Sequence, residues 1–305
     1  PYPVAEKPKA FLAYDNSVQI REKIYRKQER KLLSEVVSCE KSLGPENLKG
    51  SELYRITLKD TILFPEGGGQ PEDHGFLDDI SVVHVRRENG IVAHYTLSPL
   101  AVGKEVKIKL DWERRFDHMQ QHSAQHLITA IAEQDFNMVT TSWWLGETYS
   151  FIELDIDFNR FDEKFLKLLE ERVNELILQG AKVEVTVYEE GDKKPEEART
   201  RGLPDNHSGP IRVITIDGVD TNMCCGTHVN NLLHLQMIKI LEVEKGKKGK
   251  TNLYFIAGRR VSQSLSRCLG REKHLSSLLK NGPEEHVMLV DKLIKSTKQS
   301  EKVSQ

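Results

Sequence analysis

Cysteine is scarce: the chain has four in 305 residues, at Cys39, Cys224, Cys225 and Cys268. So sparse a set argues against a disulfide scaffold and for a reducing compartment. Long apolar runs are missing as well. None approaches the roughly 18 residues of a membrane-spanning helix. The first ten residues carry three prolines where a signal peptide needs an apolar block. Net basic charge is lacking too, since 44 Lys and Arg face 46 Asp and Glu. That excludes a globally basic nucleic-acid binder and leaves only a local basic face. Internal repeats and low-complexity tracts are absent. Residue 1 is Pro, so the sequence reads as a piece without its initiator Met. The working class is a cytoplasmic protein with no membrane partner.

Core material, by contrast, is ample. The chain is 38% hydrophobic and 30% charged, too apolar for disorder, and its length favours two domains. Residues 1–31 read as a charged arm, in which Arg21–Lys31 sets six positive charges against two negative. Over 32–112 the pattern is short and strand-like, at Val36–Cys39, Leu53–Leu58, Thr61–Phe64, Val82–Val85, Ile91–Leu97 and Glu105–Trp112. Turn signals at Gly44-Pro45, Asn89-Gly90 and Gly103 separate these runs. A small antiparallel barrel or sandwich is expected.

The period then changes. Phe116, Met119, Leu127, Ile128 and Ile131 fit one helical face over 113–136. Asp162 can cap a second helix, Glu163–Gln179, ending at Gly180. Strands follow or intervene at Tyr149–Ile156, Lys182–Tyr188, Ile211–Ile216, Leu235–Val243 and Asn252–Ala257. Interleaved helices and strands over 113–270 imply an α+β domain. Another helix starts near Arg260. Residues 271–305 form a helical tail, broken at Gly282-Pro283, that looks cut short.

Two histidines, His122 and His126, sit four apart on the first helix and so project from one face. Cys224 and His228 repeat that spacing about a hundred residues later. Imidazoles and a thiolate together suit tetrahedral Zn²⁺, one per chain. His118 extends the spacing one turn earlier and is not expected to ligate. Cys225 adds a second thiol.

Those residues also carry a resemblance. His122-Ser-Ala-Gln-His126 resembles the HxxxH motif of the alanyl-tRNA synthetase editing domain, and Cys224-Cys225-Gly226-Thr227-His228 its CGGTH motif. Phe64-Pro65-Glu66-Gly67-Gly68-Gly69-Gln70-Pro71 is similar to the glycine-rich motif of the barrel that precedes it. Order and separation match free-standing AlaX-type editing proteins over roughly 32–270. The resemblance implies an N-terminal antiparallel β-barrel, an α+β editing domain of the alanyl/threonyl-tRNA synthetase type and a helical tail. It implies hydrolysis of the ester of mischarged tRNA(Ala), chiefly Ser-tRNA(Ala) and secondly Gly-tRNA(Ala), with the acceptor end of the tRNA as partner. The alignment favours Cys224 over Cys225 as ligand. Zinc would activate a water or polarise and position the substrate.

Selectivity poses a physical problem. Alanine is smaller than serine, so size cannot exclude it, and the site must reward the hydroxyl. Thr140, Thr141 and Ser142 are the candidate readers, or else a polar turn or strand end. Trp143-Trp144 forms a pocket wall or core. Gly67, Gly68 and Gly69 lack the GK[ST] ending of a P-loop, so no nucleotide cofactor is expected. They make a tight loop approaching the catalytic domain, with Glu66 and Gln70 as substrate contacts or hinge. Phosphate contacts are expected at Lys245, Lys247, Lys248 and Lys250. Arg114-Arg115 and Arg199, Arg201 and Arg212 are the other local basic groups.

Overall fold

The computed structural model describes residues 31–42, 52–189 and 211–303. All of the expected arm except Lys31, the Gly44-Pro45 turn, and Arg199 and Arg201 lie outside the described residues.

Six strands come first: β1 (Lys31–Ser42), β2 (Leu53–Leu58), β3 (Gly75–Leu77), β4 (Ile80–Glu88), β5 (Ile91–Thr96) and β6 (Glu105–Leu110). They close into an antiparallel barrel of order β1-β2-β5-β4-β3-β6. Closure removes the sheet edges. Alternation explains the inside and the outside: in β6, Val106 and Ile108 are buried while Glu105 and Lys107 face solvent. Asn89 and Gly90, with φ of 47° and 83°, make the tight turn between β4 and β5.

One expected strand is not a strand. Thr61–Phe64 is irregular, although all four residues are buried. Side chains replace the missing ladder. Leu63 N–H donates to Thr61 Oγ1 at 3.1 Å and Phe64 N–H to Asp73 Oδ2 at 2.7 Å. The Ile62 carbonyl accepts from Arg115 at 2.8 Å. Apolar content gave the burial correctly but not the backbone pairing.

After the barrel come α1 (Trp112–Phe136), β7 (Thr140–Leu145), β8 (Ser150–Leu154), α2 (Glu163–Gln179), β9 (Val183–Tyr188), β10 (Ile211–Ile216), β11 (Asp220–Met223), β12 (Ile238–Lys245) and β13 (Thr251–Ala257). The strands form a four-stranded sheet, β12-β13-β8-β7, and a three-stranded sheet, β11-β10-β9. Asp111 caps α1 by accepting from Arg114 N–H at 3.1 Å, which turns the end of β6 directly into the helix. Asp162 caps α2 as expected, and Gly180 ends it in the left-handed region. One core holds Leu127, Ile128 and Ile131 of α1, Leu169 and Val173 of α2, Ile152 and Leu154 of β8, and Phe255 of β13.

The barrel and α1 are joined by a buried ion pair. Arg115 is 3% exposed and Asp73 wholly buried, and the guanidinium grips both carboxylate oxygens. Arg115 is therefore committed internally and is not part of a basic surface.

The described residues up to Gly258 form one compact unit, and those from Arg259 a second. The second contains α3 (Arg259–Leu279), which runs unbroken across residue 271, and α4 (His286–Val303). His286 hydrogen-bonds Ser276 Oγ at 3.1 Å, joining the two helices. Among the described residues no helix is long and apolar enough to cross a membrane.

Candidate metal centre

Helix α1 presents His122 and His126, and the loop after β11 presents Cys224 and His228. The ligand atoms of all four lie within 4.8 Å of one another. Cys224 Sγ is 3.4 Å from His122 Nε2 and 3.3 Å from His228 Nε2. The three imidazole rings lie 4.5 to 5.2 Å apart, centre to centre. A tetrahedral zinc with ordinary Zn–N and Zn–S bonds separates its donors by about 3.3–3.6 Å. The two sulfur–nitrogen spacings lie close to these values, and three imidazoles with one thiol are a donor set that suits Zn²⁺ in its chemistry.

Neighbours fix how the donors point. Thr227 N–H donates to Gln70 Oε1 at 2.8 Å, and an N–H can only donate. That sets the orientation of the Gln70 amide. His122 Nδ1 lies 3.1 Å from the same oxygen and therefore carries its proton, leaving Nε2 bare toward Cys224. Ser123 Oγ engages His228 Nδ1 at 3.2 Å and accepts from Val229 N–H at 3.1 Å. Arg212, 2% exposed, donates to the Cys224 carbonyl at 2.9 Å and to the Gly226 carbonyl, shaping the loop. Gly226 leaves room for the His122 ring, which a Cβ would strike.

Burial, then the neighbouring His126, holds the His122 pKa well below the imidazole range. Burial, then Cys225, pushes the Cys224 thiol up to about 12, against the charge of Arg212. Without metal the pair is neutral at pH 7. The imidazole is already in its ligand form, and the thiol releases a proton when metal arrives.

Residues 211–256 match the family model described as "Threonyl and Alanyl tRNA synthetase second additional domain". The chain is 53% identical over 274 residues to "Alanyl-tRNA editing protein Aarsd1" of Danio rerio, covering 88% of this chain and 65% of that protein. It is 50% identical over 277 residues to Aarsd1-A of Xenopus laevis, with 89% and 66% covered. The "Putative alanyl-tRNA editing protein alaX" of Saccharomyces cerevisiae is 32% identical over 302 residues, with 88% and 64% covered. The chain belongs to the alanyl-tRNA editing protein family. It spans just under two thirds of the length of these relatives.

In this family member the glycine loop lies against the candidate metal centre. Gly67 and Gln70 pair their backbones in both directions at 3.1 Å. Gly69, with φ of 78°, leaves no room for a Cβ beside the Trp143 indole, and Gly68 lies against Cys225 and Gly226. Gln70 is wholly buried, and its side chain engages Thr227 and His122. Cys225 and His118 are not among the four clustered donors.

The three hydroxyl residues divide. Thr140 Oγ1 donates to Thr129 Oγ1 of α1 at 3.1 Å, whereas Thr141 Oγ1 donates to Glu153 Oε1 at 2.7 Å. Ser142 lies in the same strand, half-buried. Gln125, one residue before His126, donates to Thr129 Oγ1 at 3.0 Å. Its own Oε1 is buried without a hydrogen-bond partner. Of the basic groups, Lys245, Lys247 and Lys248 are exposed on the β12–β13 hairpin, and Lys250 is half-buried. Arg212 is spent on the Cys224 loop, so it is not a surface charge. Sequence reasoning missed Ser123, Gln125 and the use of Arg212. Ser123 and Gln125 lie inside the HxxxH segment, and their spacing from the histidines was the available signal.

Proposed function

We propose that the chain is a zinc-dependent trans-editing deacylase. It hydrolyses the ester of tRNA(Ala) bearing serine, with glycine as a second substrate, and so guards translational fidelity in the cytoplasm. The observation that carries this reading is the cluster His122, His126, Cys224 and His228, with Gln70 and Ser123 orienting two of its rings. The names of the relatives, alanyl-tRNA editing proteins, support the same substrate class.

Those four residues would hold one Zn²⁺, which supplies a Lewis acid for ester hydrolysis. The chain's own residues do the rest. Gln70 keeps the His122 proton on Nδ1. Trp143 and the Gly67–Gly69 loop wall the site from bulk water. His122, Gln125, His126 and Thr129 share one face of α1 by their spacing, and Thr140 stands across from that face. The polar group of Thr140 next to the buried amide of Gln125 provides the place where a serine hydroxyl is rewarded. Alanine leaves buried polar groups unpaired there and loses on that account. Ser142 belongs to the same strand, and Thr141 acts on it from behind. Lys245, Lys247 and Lys248 offer phosphate contacts to the acceptor arm.

The test is direct. Purified protein is given tRNA(Ala) charged with serine, glycine or alanine, with and without a chelator. Serine release that exceeds alanine release and stops with chelation supports the proposal. Binding without hydrolysis would instead make the chain an RNA-binding adaptor.

A further inference from the structure

Strand β7 has one irregularity. It pairs with β8 as Thr140 opposite Leu154 and Ser142 opposite Glu153, so Thr141 is an extra residue in the ladder. The bulge resets which side chains face the helix. Thr140 and Trp143 are three apart, which on a regular strand puts them on opposite faces. Here Thr140 reaches Thr129 of α1, and Trp143 packs on the same core. Trp144 turns to the far face, toward Tyr149 and Phe151, with ring centres 5.6 and 6.0 Å away.

The extra residue is tied down. Thr141 Oγ1 lies 2.7 Å from Glu153 Oε1 and 3.3 Å from the Glu153 carbonyl. Glu153 is on the far face too, between Ile152 and Leu154, which are both wholly buried in the core. Lys250 Nζ stands 3.7 Å from Glu153 Oε1 and 3.5 Å from Asp155 Oδ1. That engagement separates Lys250 from the three exposed lysines of the same hairpin.

We propose that Glu153 is a positioning residue for substrate selection: it pins the β7 bulge through Thr141, and Lys250 holds Glu153 rather than a tRNA phosphate. This rests on the reading above, in which Thr140 borders the selecting pocket. The argument is one of register. A strand that loses its bulge moves every side chain beyond that point to the other face. Thr140 then leaves α1, or Trp143 leaves the wall. Neither Glu153 nor Lys250 touches substrate, so both act at a distance through strand geometry.

The experiment compares Glu153→Ala, Glu153→Gln, Lys250→Met and Lys247→Met at equal metal content. It measures kcat/KM for serine- and alanine-charged tRNA(Ala), the salt dependence of tRNA binding, and the indole N–H resonances of Trp143 and Trp144. Glu153→Ala removes the acceptor, and the serine-to-alanine ratio falls about tenfold, equivalent to about 1.4 kcal/mol. Both indole resonances shift with it. Glu153→Gln keeps a carbonyl oxygen for Thr141 but gives up the ion pair with Lys250, so its losses match those of Lys250→Met and stay smaller than those of Glu153→Ala. Lys250→Met lowers the ratio and leaves the salt slope intact, while Lys247→Met does the reverse. Unmoved indoles in Glu153→Ala, or equal losses in Glu153→Gln, overturn the pin. A salt slope lost equally in Lys250→Met and Lys247→Met overturns the assignment of Lys250. The indole and salt readings need no hydrolysis, so a chain without deacylase activity refutes the proposed function while the pin is still judged.

Discussion

Gln70 and Thr227, 157 residues apart, hydrogen-bond to each other in both directions. The Thr227 N–H donates to Gln70 Oε1 at 2.8 Å, and Gln70 Nε2 donates to Thr227 Oγ1 at 2.9 Å. The barrel's glycine loop thereby sets which ring nitrogen of His122 carries the proton. Gln70→Leu keeps the volume and loses the acceptor, so the His122 proton is free to sit on either nitrogen. Zinc affinity is expected to fall by about 10- to 100-fold, the usual loss for an orienting partner. Competition with a chromophoric chelator measures it. Unchanged affinity would mean that the helix alone orients His122.

The two thiols separate cleanly. Cys224→Ser is expected to lose zinc, and Cys225→Ser and His118→Ala to retain it, by elemental analysis. Because the Cys224 thiol is raised to about 12, it is protonated at neutral pH and gives up its proton on binding. Zinc affinity therefore rises by about tenfold per pH unit near neutrality, one proton per ion. Retention in Cys224→Ser with loss in Cys225→Ser would reverse the choice of sulfur.

Acid sensitivity is expected from the barrel. His94 is wholly buried, held between Thr61 Oγ1 at 2.8 Å and the Ile56 carbonyl at 3.3 Å. Burial lowers its pKa from the ordinary imidazole 6.5 to about 4. The unfolded chain thus binds a proton that the folded one refuses. Stability is complete above pH 6.5 and declines as pH falls from there toward 4, at up to about 1.4 kcal/mol per pH unit for this group. His94→Gln removes that dependence. Urea midpoints of both proteins across the window decide it, and parallel curves would assign the acid loss elsewhere.

Phosphate contacts are expected at the exposed end of the β12–β13 hairpin. Lys247→Met with Lys248→Met is expected to weaken tRNA binding and lower the salt slope by roughly 1.5–2 units. An intact slope would move the tRNA path toward the segment around Arg199 and Arg201.

Local patterns made much of this legible. Asp162 and Gly180 bound α2 because caps are chemical signals written in single residues. The cluster of His122, His126, Cys224 and His228 was visible because two i,i+4 pairs need only helix and loop spacing. Long-range pairing left no such trace. Thr61–Phe64 reads as a strand by composition, yet Asp73 and Arg115 supply its partners from elsewhere. Strand β3 is three residues long, too short for any period to show. Thr140–Leu145 looks like a polar strand end leading into two aromatics, and only the bulge opposite Glu153 reveals which hydroxyl faces the helix. Gln70 was noticed for its place in a motif, but its use depends on Thr227, which no local rule connects to it.

The Arg115–Asp73 pair bears on how the molecule can be divided. A cut between barrel and helix looks natural on a linear map, since β6 ends at Leu110 and α1 begins at Trp112. Such a cut would strand a guanidinium that is 3% exposed, and the barrel piece would keep a buried carboxylate with no counter-charge. The helix piece would also lack Gln70 and so lose control of His122. The barrel is thus better regarded as one wall of the candidate metal site than as an appendage, and grafting the HxxxH and CCGTH segments onto another scaffold would have to bring that wall along.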